Sequence, residues 1–216
     1  MSADNKTAEQ LNEAGSASGG SGREILLDAT SDLMIELGTI DVSLHQIARH
    51  AGVTAPLVKY WFGSKDGLFL ALVERDTEDS LNQLTELMEM ELDPATKLRI
   101  HIHGIISAYA QYPYLNRLID ALLWNREAES SKALRARVIQ PIVRAQRIIL
   151  SDGIAAGQFR DVNIKYMYFL IVGACHYIFS TRVGVYEVFG ETKVSKDLYL
   201  DYAAFATDSI LRSITV

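Results

Sequence analysis

Apolar residues recur every three or four positions along almost the whole chain, and no stretch alternates residue by residue as a strand would. Ile25, Leu26, Ala29, Leu33 and Leu37 share one stripe and predict a helix from Arg23 to Gly38. Leu44, Ile47, Ala48 and Ala51 make a short second stripe, and Val58 and Phe62 a third. Ser64 then caps a long helix to about Met90 through Leu68, Leu72, Leu81, Leu84 and Leu87. Asp93-Pro94 is an N-cap followed by proline at the first helical position, and opens a helix to about Gln111. Leu115, Leu118, Ile119, Leu122 and Leu123 form the next stripe. A helical stretch spans about Ser131 to Ala156, where Pro141 either kinks it or marks its true start, and Gly157 closes it. Asn163 caps a strongly apolar helix to about Arg182, and a loop with Gly184 and Gly190 leads to a last helix, about Ser195 to Ile214. The predicted fold is all-α, with about nine helices.

Ser43 to Leu68 carries the sharpest local signals. Ser43 and Gln46 have capping-box spacing, and Gly52 stands where the chain must turn through a left-handed conformation. Thr54 caps the following helix, Pro56 fits its first turn, and Gly63-Ser64 stops it. Two helices about a tight glycine turn form a helix-turn-helix, whose second helix enters the DNA major groove. The run SLHQIARHAGVTAPLVKYWFGSKDGLFLAL resembles the DNA-binding segment of the TetR family of bacterial transcriptional regulators. The matching pieces are Ile47-Ala48, Ala51-Gly52-Val53-Thr54, Tyr60-Trp61-Phe62 and Gly63-Ser64-Lys65-Asp66-Gly67-Leu68. The resemblance covers roughly residues 23 to 75; beyond them it is one of layout.

Three parts follow: an arm over 1–22, a DNA-binding head over 23–68, and a ligand-binding and dimerisation body over 69–216. The arm is polar and small, ending in AGSASGGSG, and cannot bury enough surface to order itself. The net charge of −6 is unusual for a protein that grips phosphates, so charge distribution matters more than its sum. Between Arg49 and Lys65 there are three basic side chains and no acidic one, whereas Glu24, Asp28, Asp32 and Glu36 make the first helix acidic. Cys175 is the sole cysteine, which excludes an intrachain disulfide and fits a reducing cytoplasm. Residues 1–22 lack the apolar core of a secretory signal, and the apolar run Tyr166 to Thr181 is shorter than the ~20 residues of a bilayer span.

The recognition helix first offers Ala55, Pro56 and Leu57, which can pack on thymine methyl groups but make no bidentate base contact. Lys59 and Tyr60 are its outward polar pair, Lys59 suited to a guanine edge or a phosphate. The resemblance implies phosphate contacts from Ser43, Thr54, Tyr60, Trp61 and Lys65; many relatives carry an aromatic where Lys59 stands. Packing between helices is the other role open to Trp61. The resemblance also implies a cavity in the body that takes a small effector and shifts the heads. Polar or aromatic residues within apolar helices are candidates for its wall: His103, Tyr109, Asn116, Asp120, Trp124, Tyr168 and His176.

Met167, Ile171, Ala174 and Ile178 on one helix, with Leu198, Tyr202 and Phe205 on the last, are expected to form a four-helix interface between two subunits, unless one chain folds both helices into its own core. No P-loop, G-x-S-x-G or dinucleotide fingerprint is present, and His101-x-His103 points two imidazoles to nearly opposite helix faces, which makes no metal pair. The expectation is therefore a homodimeric regulator, not an enzyme, without cofactor or metal. It binds a palindromic operator, most simply as a repressor released by an effector. A body that docks a protein partner in place of a small ligand is the alternative.

Overall fold

The structure is a computed structural model describing residues 22–180, 186–188, 190 and 194–216. The expected arm over 1–22 and the loop containing Gly184 lie essentially outside these. Ten α-helices build the described part, with one π-helical turn between two of them and one isolated bridge between Phe159 and Thr215. Helix α1 (Gly22–Leu37) buries Leu26, Leu27, Leu33 and Met34 against α2 (Leu44–His50) and α4 (Lys65–Glu89). The expected inward Leu37 is exposed at its end. Ser43 and Gln46 form the capping box on α2: each receives the other's backbone N–H, at 3.2 Å and 2.8 Å. Gly52 takes φ 68° at the turn, and α3 (Ala55–Phe62) follows. Ser64 caps α4 by accepting from the Gly67 N–H at 3.0 Å.

At 25 residues α4 is ~37 Å long. It starts directly after the recognition helix and runs on into the body, where Leu84 and Leu87 are buried. The head boundary expected at residue 68 thus falls inside one continuous helix. α5 (Pro94–Gln111) is the body's centre, packed on α4, α8, α9 and α10, with Leu98, Ile102 and Ile106 fully buried. α6 (Leu115–Trp124) and the short α7 (Glu129–Leu134) precede a π-helical turn, Arg135–Ile139, and α8 (Gln140–Ala155). Pro141 stands in the first turn of α8, the second of its two expected roles, directly after the π-turn. A proline cannot donate backward, so the helix widens, and the Gln140 N–H reaches five residues back to the Arg135 carbonyl. α9 (Ile164–Ser180), capped by Asn163, and α10 (Lys196–Ile214), capped by Ser195, complete the body. One apolar cluster runs unbroken from Leu26 in the head to Ile214 at the end of the chain.

Candidate nucleic-acid interface and body cavity

The helix-turn-helix offers a coherent outer surface. Ser43, Thr54, Pro56, Lys59 and Tyr60 are exposed, Tyr60 to 69%, and Ala55 and Lys65 partly so. Leu57 departs from expectation. It is only 4% exposed and packs inward, so it anchors the recognition helix and has no face for a thymine methyl. Trp61 is half-buried, its ring lying against Gly22 where a Cβ would stand 2.2 Å from it; packing between α1 and α3 therefore occupies much of the indole. Lys65 holds its ammonium 5.1 Å from the centre of the Phe69 ring, at the N-terminus of α4. Arg23, stacked at 5.2 Å on Phe62, and the exposed His45, Arg49 and His50 of α2 extend the basic surface and were not among the expected contacts. Their spacing was visible: 45 and 49 share the outward face of α2.

A buried polar node fastens this head to the body. The Tyr114 hydroxyl lies 2.5 Å from Asp76 Oδ2 and 2.8 Å from Ser31 Oγ. With one proton, it donates to the carboxylate and accepts from the serine. Arg75 donates to Asp76 from Nε at 2.9 Å and pairs with Asp28 at 2.7 Å. Burial raises the Asp76 pKa, while the Tyr114 and Arg75 hydrogen bonds oppose the rise. Arg117 adds a second tie, donating to the Gly38 carbonyl at 2.9 Å at the end of α1. Thus α1, α4 and α6 meet through paired groups from head and body.

Between α4, α5, α6 and α8 lies a cavity of about 100 Å³. Leu84 and Leu87 form its α4 wall, His101, Gly104 and Tyr109 its α5 wall, and Ile119, Val138 and Ile142 the remainder. No lysine, arginine or carboxylate lines it. His101 is 5% exposed, and burial pushes its pKa down to about 4, so the ring is neutral at pH 7. Its Nε2 has no hydrogen-bond partner within the chain, nor do the two carboxamide atoms of Gln146. The Gln146 carboxamide lies close enough to act on the ring as a hydrogen-bonding neighbour that favours the charged form, against the larger effect of burial, although the two side chains do not reach full hydrogen-bond geometry with each other. A Cβ built on Gly104 would meet nothing within 4 Å, which marks open space beside the helix.

Of the seven residues expected at an effector, Tyr109 alone lines this cavity. Its ring meets His176 edge-on at 6.0 Å. Asp120 is close enough to both, and to Tyr168, to shift their titration. Asn116 donates to Asp120 at 3.2 Å, and neither lines the cavity. His103 is half-buried outside the wall, one residue from the glycine that forms it. Trp124 is a plain correction: it is 91% exposed, because its stripe ends with α6 and the indole projects beyond the core. His101 lines the cavity and was not among the expected residues. Its signal is position, since it shares the inward stripe of Leu98, Ile105 and Tyr109. No group of three His, Cys, Asp or Glu that could hold a metal exists among the described residues.

The expected subunit interface also needs correction. Met167 and Ile171 are buried within the chain, with Cys175 and Phe179 four residues apart beyond them. Ala174, Ile178 and Tyr202 pack on the same core, and Tyr202 donates its hydroxyl to the Ala174 carbonyl at 2.7 Å. Leu198 is half-buried. Only Phe205 of the expected set is exposed; it is joined by Tyr166, Phe169, Leu170 and Tyr177 along the outer face of α9. α9 is apolar all round, so its periodicity does not say which stripe α5 takes.

No described helix is long and apolar enough to cross a membrane. Comparison with known proteins agrees with this architecture. The HTH-type transcriptional repressor NicS of Pseudomonas putida is 27% identical over 196 residues, covering 89% of this chain and 92% of its own. The regulator BetI 2 of Chromohalobacter salexigens is 39% identical over 84 residues, 39% of this chain and 40% of its own. The ketosteroid transcriptional regulator KstR2 of Mycobacterium tuberculosis shares the fold at TM-score 0.68 and 16% identity, over 91% of this chain and 96% of that one. FadR of Bacillus subtilis, solved with stearoyl-CoA, does so at TM-score 0.64 and 18% identity, over 88% and 95%. Residues 26–72 match the model for bacterial regulatory proteins of the tetR family, and residues 91–216 match that for the tetracyclin repressor-like C-terminal domain. The chain belongs to the TetR family of bacterial transcriptional regulators.

Proposed function

We propose that this protein is a cytoplasmic homodimeric repressor that binds a palindromic operator and lets go when a small molecule enters the body cavity. One observation carries the proposal: α4 bears Lys65 at the DNA end and Leu84 and Leu87 in the cavity wall at the other. A ligand that displaces the far end of a continuous helix tilts the near end, and the distance between two heads changes with it. The exposed apolar face of Tyr166, Phe169, Leu170, Tyr177 and Phe205 supports the dimer, because two such faces cover each other about a two-fold axis. Ala55, Pro56 and Lys59 then meet successive major grooves, with Ser43, Thr54, Tyr60, Lys65, Arg23 and Arg49 on phosphates. A relative that is named a repressor and spans nearly the whole chain supports repression over activation.

The test combines three measurements on the full chain. Sedimentation of the wild type should give a dimer, and Phe169→Glu a monomer with weakened DNA binding. Fluorescence anisotropy should show tight binding to a palindrome in the DNA adjoining its own gene. Gly104→Leu should keep that affinity while losing the response to any effector that releases the wild type. A wild-type monomer that still binds a palindrome with full affinity would overturn the dimer. An undiminished effector response in Gly104→Leu would overturn the cavity.

A further inference from the structure

We propose that the body cavity selects an uncharged, compact ligand, about one ring in size with a single hydrogen-bonding group, and that His101 Nε2 is the atom that receives this group. The proposal rests on the sensing role given above and adds the chemical class of the effector. Three independent observations lead to it.

Size comes first. A cavity of about 100 Å³ is of the order of the ~150 Å³ apolar cavity that is known to accept benzene, so small side-chain movements let its interior admit one ring. Gly104 keeps this space open. Glycine in mid-helix costs roughly 1 kcal/mol against alanine, and a Cβ at this position would meet nothing, so no local clash in α5 requires it.

Charge comes second. The wall lacks any charged side chain, and a carboxylate or ammonium brought into it would be buried without a counter-charge. His101 does not supply one, because its surroundings hold it neutral.

Polarity comes third. The imidazole is nine-tenths buried and lies in the wall; the Gln146 carboxamide is near enough to act on it, yet Nε2 makes no hydrogen bond of full geometry within the chain. A buried polar atom of this kind is ordinarily paired. Neutral imidazole offers one donor and one acceptor, so a hydroxyl or a carbonyl on the ligand satisfies it equally well.

The experiment measures binding of four one-ring probes to the full-length protein by calorimetry at pH 7.5: phenol, benzene, benzoate and benzylamine. Phenol should bind roughly fivefold more tightly than benzene, the ratio expected of one net hydrogen bond. Benzoate and benzylamine should bind at least tenfold more weakly than phenol. His101→Leu should bring the phenol-to-benzene ratio close to one while benzene still binds. His101→Gln, whose carboxamide reaches the same position, should restore the preference and shows that loss in the leucine variant is not misfolding. Benzoate or benzylamine binding as tightly as phenol would overturn the charge selection, and an unchanged ratio in His101→Leu would overturn the anchor. If no probe binds, or Gly104→Leu binds all four as the wild type does, the cavity is no ligand site and both proposals fall. If phenol binds through His101 yet leaves operator affinity unchanged, the ligand class stands and the sensing role fails.

Discussion

Tyr114→Phe removes a single hydroxyl, and with it two hydrogen bonds, at the junction of head and body. The ring is fully buried and phenylalanine keeps its shape, so the apolar contribution is unchanged. What is lost is the proton given to Asp76 and the lone pair offered to Ser31. Arg75 still holds the carboxylate from 2.9 Å, so Asp76 is weakened and not orphaned. A hydrogen bond to a charged group is worth about 1.5–3 kcal/mol, and a loss near 2 kcal/mol is expected. At this chain length that lowers Tm by roughly 4–8 °C.

The pH dependence adds a second, stricter check. Asp76 has a folded-state pKa raised above 3.8, so its contribution to stability is full below that value and is lost as pH rises through the folded pKa. The tyrosine proton opposes this loss by favouring the ionised form. Without it the folded pKa climbs further, and the deficit of the variant is larger at pH 8 than at pH 4.5. Urea unfolding followed by circular dichroism, at fixed protein concentration and both pH values, reads both quantities. A deficit under about 0.5 kcal/mol at pH 7, or one equal at the two pH values, would refute the assignment of the proton to Asp76.

Three further outcomes are expected. Lys65→Ala should weaken binding to all DNA sequences alike and flatten the slope of log affinity against log salt by about one, as titration across salt concentrations reads; parallel slopes would remove Lys65 from the phosphate contacts. His101, lowered from 6.5 to about 4, contributes stability that is present above pH 6.5 and lost as pH falls toward 4. Between pH 7 and pH 5 this amounts to about 2 kcal/mol, and His101→Leu should lack that part of the acid destabilisation in denaturant titrations. Leu57→Ala should cost about 2–5 kcal/mol of stability, with DNA affinity near normal well below its melting temperature; normal melting with lost binding would return Leu57 to the groove.

Local signals carried most of the fold. Ser43 with Gln46, Ser64 with Gly67 and Asp93 with Thr96 are hydrogen bonds between residues three apart, so a short window of sequence contains both partners. The layout of the head was legible for the same reason. The body interior was less so, because long-range packing decides it. α9 has apolar residues on every side, and only the position of α5 determines that Met167 and Ile171 turn inward while Phe169 and Tyr177 face out. Conspicuous polar and aromatic residues do not mark an effector site, as Trp124 at an exposed helix end shows. The cavity is marked by quieter features, a histidine on an apolar stripe and a glycine one turn later. The π-turn before Pro141 was foreseeable as a disturbance but not as a widening, since a kink would serve the missing N–H equally well.

The shared core and the Ser31–Tyr114–Asp76 node bear on modularity. Two separate family models match head and body, which invites treating them as exchangeable parts. Yet α1 is fastened from the body by Tyr114, by Arg117 at Gly38 and by Arg75 at Asp28. Head and body are therefore expected to unfold as one cooperative unit, and a head cut away after residue 72 loses the Tyr114, Arg117 and Arg75 contacts to the α1 region. A chimaera that grafts this head onto another body must carry a tyrosine matched to Ser31 and an arginine within reach of Gly38. Specificity for DNA can be re-engineered on the outward side chains of α2 and α3, but the seam at α1 has to be transplanted from both sides at once.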